Sequence, residues 1–369
     1  MTKNILIIDD SALMRRVLSD IINSDKRFKV SEVAVNGLEG LELLQRKGKK
    51  FDAVLLDINM PKMNGIELLE ALKEKGIKAT VIIVSTIAKK EAKETIKALE
   101  LGAFDFVTKP ESFMEVKSNH FSDRLLDCLI TATKAEEKVV GTTSVKEDKT
   151  ITRVLEELSA VKEAIHKKPS VSLPQGAKKL VALACSTGGP KALHSVLPYL
   201  PANLDASMLI VQHMPSGFTK SLADRLNELS PLKVKEAEDG EILAKGTVYI
   251  AKGGCQMRLK RLDDQAYRIV VSQEPARHGL LPCADIMYES LADTNFDQIT
   301  CVVLTGMGGD GTAGISMLSK KQNIYVIAQN EETSIVYGMP KVIKDAGLVD
   351  EVVALSDVSD AIIKNVGVY

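Results

Sequence analysis

Three residues spread through the second half of the chain could together form an activated nucleophile. Ser186 follows the apolar run 180–185 and precedes Thr187-Gly188-Gly189-Pro190. His213 follows a second apolar run, 208–212, and Asp310 lies in Gly306-Met307-Gly308-Gly309-Asp310-Gly311, directly after a third, 301–305. A hydroxyl, an imidazole and a carboxylate at three strand ends can meet on one crest. There the imidazole takes the hydroxyl proton during attack on a carbonyl, and the carboxylate orients the imidazole. Glycines at 306–311 let backbone N–H groups approach closely, which makes the Met307 N–H a candidate oxyanion donor. The Gly188-Gly189 turn would pre-position Ser186 and Thr187. The hydrolase elbow pattern is met only in part, since Ala184 stands where its first glycine falls. Competing readings make Ser186 a cap of the helix opened by Pro190, or the glycine loops a phosphate cradle, which the charge of Asp310 opposes. His278, in the loop 273–282, is the rival base. Asp285 and Asp297 are rival acids that follow no strand so directly.

The first half gathers a different chemistry. Apolar runs end at Asp9-Asp10, at Asp57, at Ser85 and at Lys109-Pro110. Carboxylates on one crest repel unless a cation joins them, and hard oxygen ligands with room for waters suit Mg²⁺. Asp57 could then act as nucleophile toward a phosphoryl group, with Lys109 supplying positive charge and the Ser85 hydroxyl bonding a phosphoryl oxygen. Each Asp alone reads more simply as a helix cap. Lys109-Pro110 is a candidate cis peptide.

Both sets need elements to position them. In the first segment the strand runs are 4–8, 30–34, 51–56, 80–84 and 104–108; in the second they are 180–185, 207–212, 247–251, 268–271, 300–305 and 324–328. Helical patterns alternate with them, which predicts an α/β protein with two doubly wound parallel sheets. Ligands of such folds bind at strand carboxyl ends. The boundaries fall at 1–133, a linker 134–178 and 179–369. Within the linker Ile151, Val154, Leu158, Val161 and Ile165 predict an amphipathic helix over about 151–166. A helix packing on one of the domains is preferred to a short coiled coil, because about two heptads dimerise poorly alone.

The 369 residues carry a net charge of −1, with 45% hydrophobic and 26% charged residues. There is no basic recognition helix, so a nucleic-acid partner is not expected. No apolar run approaches the ~18 residues that cross a bilayer, so no direct membrane insertion is expected. The five cysteines form no Cys-x-x-Cys pair, which points to free thiols in a reducing cytoplasm.

The pattern Ile8-Asp9-Asp10-Ser11, Leu56-Asp57-Ile58-Asn59-Met60-Pro61, Gly65, Val84-Ser85 and Lys109-Pro110 closely resembles the response-regulator receiver family. The resemblance implies a flavodoxin-like fold and phosphorylation of Asp57 by a histidine kinase. Mg²⁺ would be held by Asp9, Asp10, Asp57 and the Asn59 carbonyl. Ser85, Phe106 and Lys109 would form the switch, with Phe106 in place of the frequent tyrosine. In the second segment, Cys185-Ser186-Thr187-Gly188-Gly189-Pro190, Gln212-His213-Met214-Pro215, Phe218-Thr219, residues 304–311 and Tyr337-Gly338-Met339-Pro340 resemble the chemotaxis methylesterase (CheB) family. That resemblance implies a Rossmann-like catalytic domain that needs no cofactor of its own. It implies hydrolysis of γ-glutamyl methyl esters on chemoreceptors with release of methanol, and deamidation of particular glutamines there. The receiver is expected to cover the active site and to be displaced on phosphorylation. A response regulator whose second domain only binds a partner is the alternative.

Overall fold

The computed structural model describes residues 2–86, 88–110, 119–135, 176–262 and 266–369. They fall into two compact units, within Met1–Val140 and Gly141–Tyr369. The expected helix at 151–166 lies outside the described residues.

In the first unit, β1 (Lys3–Ile8), β3 (Ala53–Asp57) and β4 (Val81–Ser85) are short apolar runs, and every residue of β3 and β4 is buried. Burial on both faces is what a parallel sheet covered by helices requires. With β2 (Phe28–Ala34) and β5 (Asp105–Thr108) they form a parallel sheet in the order β2-β1-β3-β4-β5. The order reverses between β1 and β3, so Asp9-Asp10 and Asp57 flank the crevice where such sheets hold ligands. Among the described residues five helices connect or follow the strands: α1 (Ala12–Ser24), α2 (Gly37–Lys47), α3 (Gly65–Glu74), α4 (Lys89–Glu100) and α5 (Asn119–Thr133). Asn64 and Glu67 form a capping box that starts α3. A Cβ on Gly65 would overlap the Asp57 carbonyl, so α3 can begin directly against the end of β3.

The second unit is built on β6 (Lys179–Cys185), β7 (Ser207–Gln212), β8 (Lys233–Glu236), β9 (Thr247–Ile250), β12 (Gln298–Val303), β13 (Ile324–Gln329) and β14 (Glu351–Val353). All pairings in this seven-stranded sheet are parallel, in the order β14-β13-β12-β6-β7-β9-β8. The chain runs outward from β6 through β7 to β8 at the edge, fills the gap between β7 and β8 with β9, then returns to β12 on the other side of β6. The carboxyl end of β6 is therefore the switch point of the sheet. Helices α6 (Gly189–Val196), α7 (Phe218–Leu229), α8 (Ala284–Ser290), α9 (Thr312–Ser319), α10 (Met339–Asp345) and α11 (Val358–Val366) accompany the strands.

Two local expectations change. Residues 268–271 do not join the main sheet. They belong to β11 (Tyr267–Ser272), which pairs antiparallel with β10 (Gln256–Arg261) in a separate two-stranded sheet. In β11 Tyr267 and Ile269 are buried while Arg268 is exposed. That alternation marks a strand with one wet face, unlike the uniformly buried central strands. The cis X–Pro bond falls at Leu281–Pro282 and not at Lys109–Pro110. The Lys109 N–H continues the strand pairing, donating to the Ser85 carbonyl at 2.7 Å, so the chain leaves β5 extended instead of turning there.

Tyr288 of α8 is fully buried, and its hydroxyl lies 3.1 Å from the Ala182 carbonyl and 3.2 Å from the Val302 carbonyl. It thus ties α8 to β6 and β12, the two strands that border the switch point. Tyr288→Phe is expected to lower unfolding stability by about 1 kcal/mol. Urea denaturation checks this, and a midpoint equal to that of the parent would remove the hydroxyl from the account.

Candidate active site

Cys185 pairs with Gln212 at the last rung between β6 and β7. Beyond it the His213 N–H still donates to the Cys185 carbonyl at 3.2 Å, whereas the Ser186 N–H turns to the Thr305 carbonyl on the β12 side, at 3.0 Å. Ser186 thus sits over the crevice, with His213 on one flank and the loop 305–311 on the other. Gly188, at φ 79°, takes the left-handed turn into α6, a conformation that costs glycine little. Its Pro190 sits in the first turn, where a missing N–H is harmless. Ser186 and Thr187 are half-buried.

His213 meets Asp310 directly: Nε2 lies 2.8 Å from Oδ2. The same oxygen accepts from the Ala284 N–H at 2.6 Å, while Oδ1 accepts from the Asp285 N–H at 3.0 Å and from Cys283 Sγ at 3.1 Å. Burial alone would raise this acid, but the hydrogen bond and charge of His213, helped by the two amides, hold Asp310 below the ordinary carboxylate range. An ionised Asp310 can only accept, so Nε2 carries its hydrogen and Nδ1 is the nitrogen left for the serine. The Ser186 hydroxyl makes no hydrogen bond to His213 in this structure. Such contacts commonly tighten only when substrate is bound.

The other candidates fall elsewhere. Asp285 does not bond His213. Its Oδ1 accepts from the Gly311 and Gly314 N–H groups at 3.0 and 2.7 Å, so it caps α9 while Asp310 caps α8. Burial, then the charge of Asp310, push Asp285 above the usual range. Asp297 precedes β12, at the far end of the sheet from Ser186, and accepts from the Lys178 N–H at 2.6 Å. His278 sits in the turn 277–280, where the Arg277 N–H donates to the Leu280 carbonyl at 3.1 Å.

Met307 is about half exposed, on a loop drawn against Ser186. A Cβ on Gly306 would come within 2.8 Å of Ser186 Cβ. Thr305 links this loop to the nucleophile turn, its hydroxyl donating to the Thr187 carbonyl at 2.9 Å and accepting from the Val336 N–H at 2.9 Å. Sequence reasoning missed Thr305, Cys283 and the capping role of Asp285. The only signal was polarity at strand and helix ends, which many structural residues share.

In the first unit, ligand oxygens of Asp9, Asp10 and Asp57 lie within 4.8 Å of one another. Lys109 Nζ reaches Asp9 Oδ2 at 3.0 Å and Asp57 Oδ1 at 2.9 Å. Asp9 Oδ2 is buried, and this ion pair is its one polar contact. An acceptor so weakly satisfied beside two further carboxylates fits a hard divalent cation. Burial raises the Asp57 carboxyl to about 6, against the opposing pull of Lys109. The same two carboxylates hold Lys109 above its usual value in spite of burial. Phe106 is buried. Ser85 Oγ accepts from Thr95 Oγ1 at 2.9 Å and donates to the Thr86 carbonyl at 3.3 Å.

Fold and crevices together define a response-regulator receiver joined to a second parallel-sheet α/β unit that carries a hydrolase's grouping of side chains at its switch point. The family described as CheB methylesterase matches residues 181–362, and the response regulator receiver domain matches residues 5–119. A protein-glutamate methylesterase/protein-glutamine glutaminase of Syntrophomonas wolfei is 40% identical, over 98% of this chain and 98% of that one. A protein of the same description from Pyrococcus abyssi is 38% identical, over 98% of this chain and 93% of that one. The crystal structure of the Thermotoga maritima CheB methylesterase catalytic domain is 38% identical, covering 51% of this chain and 98% of that one, with a TM-score of 0.49. The chain belongs to the protein-glutamate methylesterase/protein-glutamine glutaminase family.

The raised pKa of Asp57 has a stability consequence. Its folded value of about 6 lies above the ordinary 3.8, so between these values the native state binds the extra proton. The destabilisation is absent below about pH 4 and complete above about pH 6. Asp57→Asn is therefore expected to stabilise the metal-free first unit by about 3 kcal/mol at pH 8 and by no more than about 0.5 kcal/mol at pH 4. Thermal melts at the two pH values check this; an equal gain at both would contradict the assignment to ionisation.

Proposed function

We propose that the second unit hydrolyses γ-glutamyl methyl esters and deamidates glutamines on chemoreceptors, with Ser186 as nucleophile, His213 as general base and acid, and Asp310 as the orienting carboxylate. The observation that carries this reading is the half-buried His213 Nε2–Asp310 Oδ2 contact of 2.8 Å at the switch point beside Ser186. Ser186 Oγ adds to the γ-carbonyl carbon as its proton passes to His213 Nδ1. The oxyanion so formed draws on N–H donors of the adjoining loops, for which Met307 and Thr187 are the candidates. Collapse breaks the C–O bond, and methoxide leaves as methanol with the proton returned by the imidazolium. An amide substrate loses ammonia by the same route. Water, deprotonated by His213, then attacks the acyl-enzyme and frees glutamate and Ser186. Asp310 stabilises the imidazolium in both halves of the cycle.

The first unit supplies control. Asp57 accepts a phosphoryl group from the phosphohistidine of a chemotaxis histidine kinase. Asp9, Asp10, Asp57 and the Asn59 carbonyl would hold Mg²⁺, which when bound neutralises charge on the incoming phosphoryl group. Lys109 pairs with that group, and Ser85 turns from Thr95 to bond one of its oxygens. Phe106 is the aromatic residue beside this switch. Among the described residues no helix is long and apolar enough to cross a membrane. The proposed domain limits are 1–133 and 179–369, joined by 134–178.

Ser186→Ala is expected to lower methanol release from methylated receptor membranes at least 10³-fold, on the order of the loss of a catalytic nucleophile, while Asp57 still takes phosphate. Unchanged release would remove Ser186 from the mechanism. Asp57→Asn should leave basal release intact and abolish its increase with acetyl phosphate. An increase that survives the substitution would place control elsewhere.

A further inference from the structure

We propose that Gln212 is a positioning residue of the esterase reaction, whose side-chain amide fixes the main chain of the nucleophile to the main chain of the base. The inference rests on the roles given to Ser186 and His213 above. Gln212 is the last residue of β7 and only 2% exposed. Its Nε2 donates to the Ser186 carbonyl at 3.0 Å and to the His213 carbonyl at 3.3 Å, and its Oε1 accepts from Cys185 Sγ at 3.0 Å. The two carbonyls need donors, so they decide which way the amide faces.

The sheet itself cannot do this work. The β6–β7 ladder ends at Cys185 and Gln212, and Ser186 then turns its N–H to Thr305 across the crevice. Past that rung, the His213 N–H bond to Cys185 is the remaining backbone tie between the strands, and none reaches Ser186 from His213. Gln212 bridges that gap with one rigid planar group. The Ser186 carbonyl also accepts from the Gly189 N–H at 2.7 Å, so both its lone pairs are engaged. A peptide plane held from two sides fixes the direction in which the Ser186 Cα–Cβ bond leaves the main chain.

A second observation points the same way. A Cβ on Gly189 would overlap Gln212 Oε1 and come within 3.0 Å of Cys185 Sγ. Gly189 has no left-handed conformation to explain it. The glycine in the first turn of α6 is there to admit the amide. A buried amide without partners would be costly, and here its bonds go to the two residues whose side chains must meet.

Gln212 touches no reacting atom, so its effect should fall on turnover and not on substrate binding. The test uses the full chain with phosphodonor and methylated receptor membranes. Gln212→Met keeps length but removes both donors. It is expected to lower kcat about 10–100-fold, the scale of an ångström of misplacement, with KM within twofold. The rate of Ser186 labelling by a fluorophosphonate should fall in parallel. Gln212→Glu lacks donors while ionised and regains one when protonated, so its rate relative to the parent should rise as pH is lowered. A folded Met variant with kcat within twofold of the parent overturns the proposal, as does a loss confined to KM or to melting temperature. Should the Met variant not fold, the Glu variant decides: kcat within twofold of the parent from about pH 6 to 8.5 overturns it equally. Ser186→Ala is assayed alongside. Activity in that variant would indict the nucleophile assignment, whereas its inactivity beside a full-speed Gln212→Met would indict the positioning role alone.

Discussion

A carboxylate taken out of water next to an imidazole has to find donors for all its lone pairs, and in this chain Asp310 finds four. Two are amides at the start of α8, one is a thiol, and one is His213. Asp285, from the first turn of α8, returns the arrangement by accepting from the amides that open α9. The two helices are cross-capped: α8 by Asp310 from the loop that precedes α9, and α9 by Asp285 of α8. Neither acid can shift without leaving helix amides unbonded, which costs more than a surface contact would. The direction of the imidazole is thereby built into the packing of α8 against α9. Since Nε2 is the nitrogen so engaged, the serine is left with Nδ1.

The two units use one topological device for opposite electrostatic ends. In each, a parallel sheet reverses its order and opens a crevice at the strand carboxyl ends. The first crevice buries carboxylates around a lysine, and burial, with a smaller contribution from the charge of Asp9, raises Asp57 against the pull of Lys109. A cation that engages those oxygens offsets their charge and a phosphoryl group adds to it, so the site is poised to change when loaded. The second crevice is already satisfied before substrate arrives. Its acid is compensated and its loops are stitched by Thr305 and Gln212. Catalysis by preorganised dipoles requires that rigidity, whereas a switch requires its absence.

Much of this was legible in the sequence. Uniformly apolar runs such as 180–185 and 208–211 announce strands buried on both faces, and the residue that ends each run must lie on the crest. That logic singles out Ser186, His213, Asp57 and Lys109 as candidates, and Asp310 in the loop that follows a third run. It placed 268–271 in the main sheet wrongly, because a short β-branched run does not reveal whether one face is wet until its partner β10 is known. It weighed Asp285 only as a rival to Asp310. Its true partners, Gly311 and Gly314, lie more than twenty-five residues away and are set by helix packing. Gln212 looked like the polar end of a strand; its significance depends on the β6–β7 register, which no local pattern encodes.

The choice of a neutral amide beside the nucleophile follows from the reaction. In the reaction proposed for Ser186, negative charge develops on the substrate oxygen, so a carboxylate bonded near the serine would oppose the step it helps to align. An Nε2–H group bonded to carbonyls contributes a fixed positive edge and no net charge. The acids Asp310 and Asp285 are instead kept beyond the imidazole, where negative charge stabilises the cation that forms there. Charge is thus sorted across the crevice, with carboxylates behind His213 and amides, hydroxyls and backbone N–H groups around Ser186. Gln329 repeats the rule at the end of β13: its Oε1 accepts from the Thr305 N–H at 2.8 Å, and its Nε2 donates to the Thr333 carbonyl at 2.8 Å. Strand ends on both sides of the nucleophile are therefore closed by glutamines, which can bond to backbone in both directions without adding to the field that the oxyanion must enter.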